Sequence, residues 1–185
     1  SKFLSAGPGF GGSCFQKDIL NLVYLCQFYG LIEVAEYWYN VLKINDYQRK
    51  RISNKIHEYI TLKKLKKEVT ILGWSYKKNT NDSRESSSIY VCYNLLKKGY
   101  LINVYDPKVK VERLMEDLNN IGLSKQIISK SIKFFKKLEL IIKKDIPIMI
   151  MTEWDEFLTL NKEKNNLKIF DFRNIIDKKK VIYRF

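Results

Sequence analysis

An α/β fold is predicted, with a long central helix followed by a doubly wound, mostly parallel sheet. Three observations predict it. Apolar residues recur at helical spacing through Ile19, Leu22, Val23 and Cys26, and a second helical pattern runs through Val34, Trp38, Val41, Leu42, Arg49, Ile52, Ile56 and Tyr59. Beyond Lys67 the pattern changes to short buried runs at 69–72, 101–105, 146–151 and 167–170, each ended by Gly, Asp or a polar loop. Helical segments separate several of these runs, and such alternation lays helices on both faces of parallel strands.

The apolar pattern of the first helix runs on from Asp18, with Leu20 and Leu25 on a second face, so this helix is expected to be largely buried, stopping at Gly30. If continuous to Ile60, the second is a single rod of roughly 40 Å at ~1.5 Å per residue. Such a rod, with Tyr37, Trp38 and Tyr39 near one end, needs a partner surface and suits a junction between domains or subunits. Residues 63–67 read as a linker, dividing the chain into a helical region (1–62) and a sheet domain (68–185). In the sheet domain, 69–72 is a strand ended by Gly73, and residues 77–85 form a polar loop from which Ser83 caps the next helix. That helix runs through Ile89, Cys92, Tyr93, Leu95 and Leu96 to Gly99. The strand 101–105, ended by Asp106-Pro107, completes a βαβ unit. A mixed, helix-prone and irregular stretch follows, then the strands at 146–151 and 167–170, and a short one at 181–183. Ligands of such Rossmann-like sheets bind at the carboxyl ends of the strands.

The 185 residues carry a formal charge of +14, with 45% hydrophobic and 29% charged residues, a globular composition. No run approaches the ~20 apolar residues of a membrane span, and no secretory leader is visible. Cys14, Cys26 and Cys92 are odd in number and lack framework spacing, so a reduced, cytoplasmic protein is expected. His57 is the only histidine, so no metal site is expected. The positive charge is dispersed in lysine doublets at element ends. Solvated surface accounts for it, and nucleic-acid binding is the lesser reading. The chain begins without methionine, six residues before a glycine turn, as a fragment of a longer protein would.

The residues richest in chemistry are Gly9-Phe10-Gly11-Gly12-Ser13-Cys14-Phe15-Gln16-Lys17-Asp18. They set a cysteine at a helix N-terminus, where unpaired N–H groups and partial positive charge favour thiolate. The glycines admit a substrate close to the backbone. Lys17 adds charge, and Asp18 supplies a carboxylate for a water proton. The plainer reading is a small buried cysteine beside a tight turn. Gly7, Gly9 and Gly12 also match the dinucleotide spacing G-x-G-x-x-G, but no hydrophobic strand precedes them and Pro8 interrupts the turn, so that fingerprint is rejected.

Three strand-end loops draw attention. Residues 73–86 offer Tyr76, Lys77, Lys78 and Arg84, parts suited to a phosphorylated ligand with a ring. In residues 152–157, Glu153 and Asp155 read as helix-capping acids, with Trp154 and Phe157 packing. After 169–170, Arg173 can reach a pyrophosphate. Asp106 is placed either near a ribose or in an ordinary turn.

Together, residues 9–18 (GFGGSCFQKD), 36–51 (EYWYNVLKINDYQRKR), 71–86, 105–109 (YDPKV), 152–157 (TEWDEF) and 171–173 resemble the UDP-glucose 6-dehydrogenase family, closest to its animal-type branch. The resemblance covers nearly the whole chain. It implies oxidation of the C6 alcohol of UDP-glucose to a carboxylate with two NAD⁺, through a thiohemiacetal and a thioester on Cys14. It implies that Asp18 helps activate water, that Cys14, Phe15, Gln16, Lys17 and Arg84 meet NAD, and that Ser5, Ala6, Gly7, Pro8, Gly9, Phe10, Gly11, Tyr76, Lys77 and Arg173 meet the UDP-sugar. It also implies a homodimer or higher homo-oligomer through the central helix. The N-terminal NAD-binding domain of that family has no counterpart in these residues, so the chain alone is expected to be inactive. Alternatives are a related dehydrogenase acting on UDP-N-acetylmannosamine or GDP-mannose, and a non-catalytic nucleotide-sugar-binding or dimerisation module. There are departures from the family pattern. Ser5 stands where relatives carry lysine, Asn79 and Asn81 replace Asp and Gly, and Phe172 replaces the glycine of D-G-R, a change that can shift Arg173.

Overall fold

The structure, a computed structural model, describes residues 6–143, 145–163 and 166–184. Two helices lead. α1 (Phe15–Phe28) ends where Gly30 takes φ +73° and Leu31 N–H closes back on Cys26 O at 2.8 Å, the stop expected of that glycine. α2 (Ile32–Leu62) is one uninterrupted helix of 31 residues, about 46 Å long at ~1.5 Å per residue.

The rest of the chain is β1 (Glu68–Leu72), α3 (Ser87–Leu96), β2 (Leu101–Tyr105), α4 (Val111–Asn120), α5 (Lys125–Ser131), β3 (Ile132–Phe134), α6 (Leu138–Ile141), β4 (Ile148–Ile150), β5 (Ile169–Asp171) and β6 (Val181–Arg184). The six strands form one sheet in the order β3-β2-β1-β4-β5-β6, and every pairing is parallel. The chain builds outward from β1 to β3, then crosses back to β4. The switch point therefore lies between β1 and β4, where the strand-end loops diverge and leave a crevice.

Strand side chains alternate between two cores, as a doubly wound sheet requires. Val69, Ile71, Ile102, Val104, Met149 and Phe170 pack under α2, α3, α4 and α5, while Leu72, Tyr105, Ile148, Ile150 and Ile169 face α6 and the 3₁₀ segment Asp155–Lys162. Ile52, Ile56 and Ile60, each at most 1% exposed, tie the second half of α2 to the sheet.

Three local expectations are corrected. Only one stripe of α1 is buried, formed by Ile19, Val23 and Cys26 packed with Ala35. Leu20 and Leu25 stay about 40% exposed, because α2 is the one helix flanking α1 among the described residues. Ser83 does not cap α3. Glu85 turns back with φ +54°, so the helix begins later and the Ser86 hydroxyl accepts from Ser88 N–H. The irregular stretch after β2 contains an edge strand, β3, whose Ile-Lys-Phe pattern is too short to signal itself.

Candidate active site

Cys14 occupies the N-cap position of α1 and is exposed. Its side chain caps no backbone N–H; the Ser13 hydroxyl lies 3.5 Å from the sulfur. Asp18 follows one helical turn later, with its N–H on Cys14 O at 2.9 Å, so both side chains leave the same helix face. Lys17 is exposed beside them, Gln16 is half-buried, and Phe15 sets its ring edge-on to Phe10 at 4.7 Å.

The glycine loop before Cys14 is seated on the loop after β1. Gly12 N–H donates to Arg84 O at 2.8 Å. A Cβ on Gly11 would stand 2.4 Å from Glu85 O, and one on Gly12 would stand 3.0 Å from the Tyr76 ring. Both positions need hydrogen in place of a side chain to allow that approach. Lys77 Nζ lies 5.2 Å from the centre of the Tyr76 ring. Arg84 is 56% exposed and forks onto Asp82 through Nε and Nη2 at 3.0 and 2.9 Å. Hydrogen bonding from Arg84 holds the Asp82 carboxyl below its ordinary range. The guanidinium is raised in turn, first by Asp82 and in smaller measure by the charges of Cys14 and Tyr76.

α2 anchors the same loop from below. The Asn45 amide pairs with Phe10 on both sides, accepting its N–H at 2.9 Å and donating to its carbonyl at 3.1 Å. Gln48 donates to Gly7 O, and Arg49 to Phe10 O and Glu85 O. Sequence reasoning counted Arg49 as one more position of a helical stripe and passed over Asn45. Their signal was polar chemistry in the apolar register of a long helix.

Around the switch point, three strand-end loops meet on Asp106. Its Oδ2 accepts from Trp74 N–H, Ser75 N–H, Ser75 O–H and Trp154 Nε1–H, and its Oδ1 from Lys108 and Val109 N–H, at 2.7–3.3 Å. Six donors saturate a carboxylate, so Asp106 serves the turn and its neighbours, not a ribose. Asp117 of α4 accepts in the same manner from Trp74 Nε1–H and the Ser83 hydroxyl and pairs with Arg113; burial pushes its carboxyl up.

Asp155 stands in the first turn of the 3₁₀ segment Asp155–Lys162, at the end where an acid is expected, whereas Glu153 precedes its N-cap, Trp154; each of the two acids also makes an ion pair. Glu153 meets Arg173, and Asp155 meets Lys78 at 2.8 Å, linking the β4 loop to its neighbours on either side. Phe172 is buried, 5.8 Å from Tyr183 ring to ring. The backbone at Arg173 is held by Asp171, whose carboxylate accepts from the N–H groups of Arg173, Ile175 and Ile176.

The structure thus gathers Gly7, Pro8, Gly9, Phe10, Gly11, Cys14, Phe15, Gln16, Lys17, Asp18, Tyr76, Lys77 and Arg84 around one loop pair. Exposed Ala6 stands at the entry to that loop. Arg173 lies on the same sheet edge two strands from β1, beyond the loop pair. Ser5 lies outside the described residues. Among the described residues, no cluster of His, Cys, Asp and Glu is arranged for a metal, and no helix is long and apolar enough to cross a membrane.

Residues 70–178 match the model of the UDP-glucose/GDP-mannose dehydrogenase family's UDP-binding domain, and residues 1–47 match its central domain. The chain belongs to the UDP-glucose/GDP-mannose dehydrogenase family. Within that family, the chain is 42% identical to UDP-glucose 6-dehydrogenase of Drosophila melanogaster, over 96% of the chain and 39% of the relative. It is 42% identical to that of Bos taurus, over 96% of the chain and 37% of the relative. The structure of a UDP-glucose dehydrogenase from Pyrobaculum islandicum superposes with a TM-score of 0.72 at 25% identity, covering 96% of this chain and 38% of that one. The chain therefore spans about two fifths of the length of these family members.

Proposed function

We propose that this chain is the cysteine-bearing and UDP-binding part of a UDP-glucose 6-dehydrogenase, the cytoplasmic enzyme that oxidises UDP-glucose to UDP-glucuronate. One observation carries the reading: the cysteine loop is seated directly on the loop after β1, with Gly12 N–H on Arg84 O and Gly11 against Glu85 O. A ligand held by Tyr76, Lys77 and the glycine-loop backbone at the carboxyl edge would meet Cys14 with its sugar. The likeness to UDP-glucose 6-dehydrogenases over 96% of the chain supports that substrate.

Lys17, three residues after Cys14, and Arg84, on the loop against which the cysteine loop is seated, present exposed cations, a donor set that fits the pyrophosphate of NAD⁺. When bound, NAD⁺ supplies the hydride acceptor for both oxidations. The Cys14 thiolate adds to the C6 aldehyde carbon, and the carbonyl oxygen takes a proton, giving a thiohemiacetal. Loss of the remaining C6 hydrogen as hydride, with the hydroxyl proton, leaves a thioester. Water attacks its carbonyl, the S–C bond breaks with its electron pair left on sulfur, and the acid so formed gives its remaining proton to solvent, so that carboxylate and thiolate separate. Asp18, one turn from the sulfur, takes the water proton. Arg173 neutralises phosphate charge from the end of β5, two strands from β1. The exposed apolar faces of α1 and the first half of α2, including Tyr24, Phe28, Tyr37 and Ile44, support assembly as a homodimer or higher homo-oligomer.

Replacing Cys14 with serine in the full-length enzyme tests the reading. Turnover to UDP-glucuronate is expected to fall at least about 10³-fold while UDP affinity stays within about threefold. Unchanged turnover would overturn it. Rates on UDP-glucose, UDP-N-acetylmannosamine and GDP-mannose, measured side by side, identify the sugar.

A further inference from the structure

Arg49 is a cation in the apolar register of α2, three residues before Ile52, and only 2% exposed. A buried guanidinium is costly unless its donors are met in good geometry. Here Nη2 bridges Phe10 O at 3.0 Å and Glu85 O at 2.8 Å. Nη1 reaches Asp46 at 3.1 Å, and Nε points at the Ser87 hydroxyl at 3.4 Å. The guanidinium lies 4.0 Å from the centre of the Tyr90 ring, and the Tyr90 hydroxyl donates to Glu85 Oε2 at 2.6 Å. Glu85 is thus held through its backbone by Arg49 and through its side chain by the ring beneath Arg49.

The two bridged carbonyls belong to different loops. Phe10 lies four residues before Cys14, and Glu85 follows Arg84 in the loop that carries Tyr76 and Lys77. One nitrogen atom therefore joins the nucleophile's loop to the substrate's loop. The planar fork does this because its donors diverge at fixed angles, which a lysine ammonium on its flexible stem does not reproduce.

We propose that Arg49 is a positioning residue: its buried guanidinium sets Cys14 relative to substrate held by the loop after β1, so that its loss slows the chemistry after binding while leaving binding itself in place. This rests on the function proposed above. A misplacement of about 1 Å costs on the order of 100-fold in rate.

The test uses Arg49→Lys in the full-length enzyme, which keeps the charge and removes the fork. The expected result is a kcat about 100-fold lower, with KM for UDP-glucose and Kd for UDP both within about threefold of the parent. Alkylation of Cys14 by iodoacetamide supplies a readout independent of turnover. Bound UDP is expected to change the alkylation rate in the parent and not in the variant. A kcat within threefold of the parent would overturn the proposal. So would parallel loss of UDP affinity and turnover, or failure of Arg49→Lys to fold, since either marks a structural role. If the parent oxidises no UDP-sugar, the proposed function fails by itself, and the alkylation arm still decides whether Arg49 couples the two loops.

Discussion

Glu153 and Arg173 form an ion pair across the carboxyl edge of the sheet, joining the loops after β4 and β5. Each side chain is only about a quarter exposed, and Glu153 Oε2 makes no aligned hydrogen bond among the described residues, so attraction between charges carries the contact. Under the proposed function, a diphosphate at this edge would compete with the carboxylate for one guanidinium. Glu153→Gln is therefore expected to tighten UDP binding about three- to tenfold, and Arg173→Ala to weaken it by about tenfold or more, ~1.4 kcal/mol. Titration calorimetry with UDP decides it; weaker binding by Glu153→Gln would mean the acid orients the arginine more than it competes.

Gly11 touches the backbone of Glu85, which cannot swing aside as a side chain would. In Gly11→Ala the new Cβ would stand 2.4 Å from Glu85 O, so the two loops must part. Turnover per bound substrate is expected to fall about 100-fold. Steady-state kinetics of the full-length enzyme measure this, and a loss under threefold would show that the loops yield without consequence.

Asp106 collects six donors from three strand-end loops. Asp106→Ala leaves the buried N–H groups of Trp74 and Ser75 and the Trp154 indole without their acceptor, at ~1–3 kcal/mol for each that stays unpaired. A loss of at least about 3 kcal/mol in urea unfolding is expected. Asp106→Asn keeps one acceptor oxygen and should lose less.

Asp82 titrates below its ordinary value because Arg84 hydrogen-bonds its charged form. The folded state then binds fewer protons than the unfolded state near pH 4, so this contribution is complete above Asp82's ordinary value of ~3.9 and is lost as pH falls through the lowered folded value. Asp82→Asn should flatten that part of the acid limb, lowering stability near pH 7 by the contribution lost and leaving it least changed near pH 2. Unfolding curves between pH 2 and 5, compared with the parent, provide the check.

The helices α1 and α2, five of the six strands and the placement of Cys14 at a helix start were legible in the sequence, because hydrophobic period, glycine stops and helix ends are written in neighbouring residues. The edge strand β3 was not, since three residues with a lysine in the middle carry too little pattern. The start of α3 was displaced from Ser83 to Ser86 because Ser83 spends its hydroxyl on Asp117, thirty-four residues away.

The candidate site divides in the same way. Glycines, cysteine, Lys17 and Asp18 are contiguous, and their chemistry follows from order alone. Sequence by itself determined the parallel α/β plan and the nucleophile's helix terminus. Tertiary structure alone decided that Arg49 and Asn45 hold the cysteine loop, that Asp106 is saturated by protein donors, and that Arg173 faces Glu153. A buried polar group must find its partner wherever the fold brings one, and that partner is fixed by packing in space rather than by spacing along the chain.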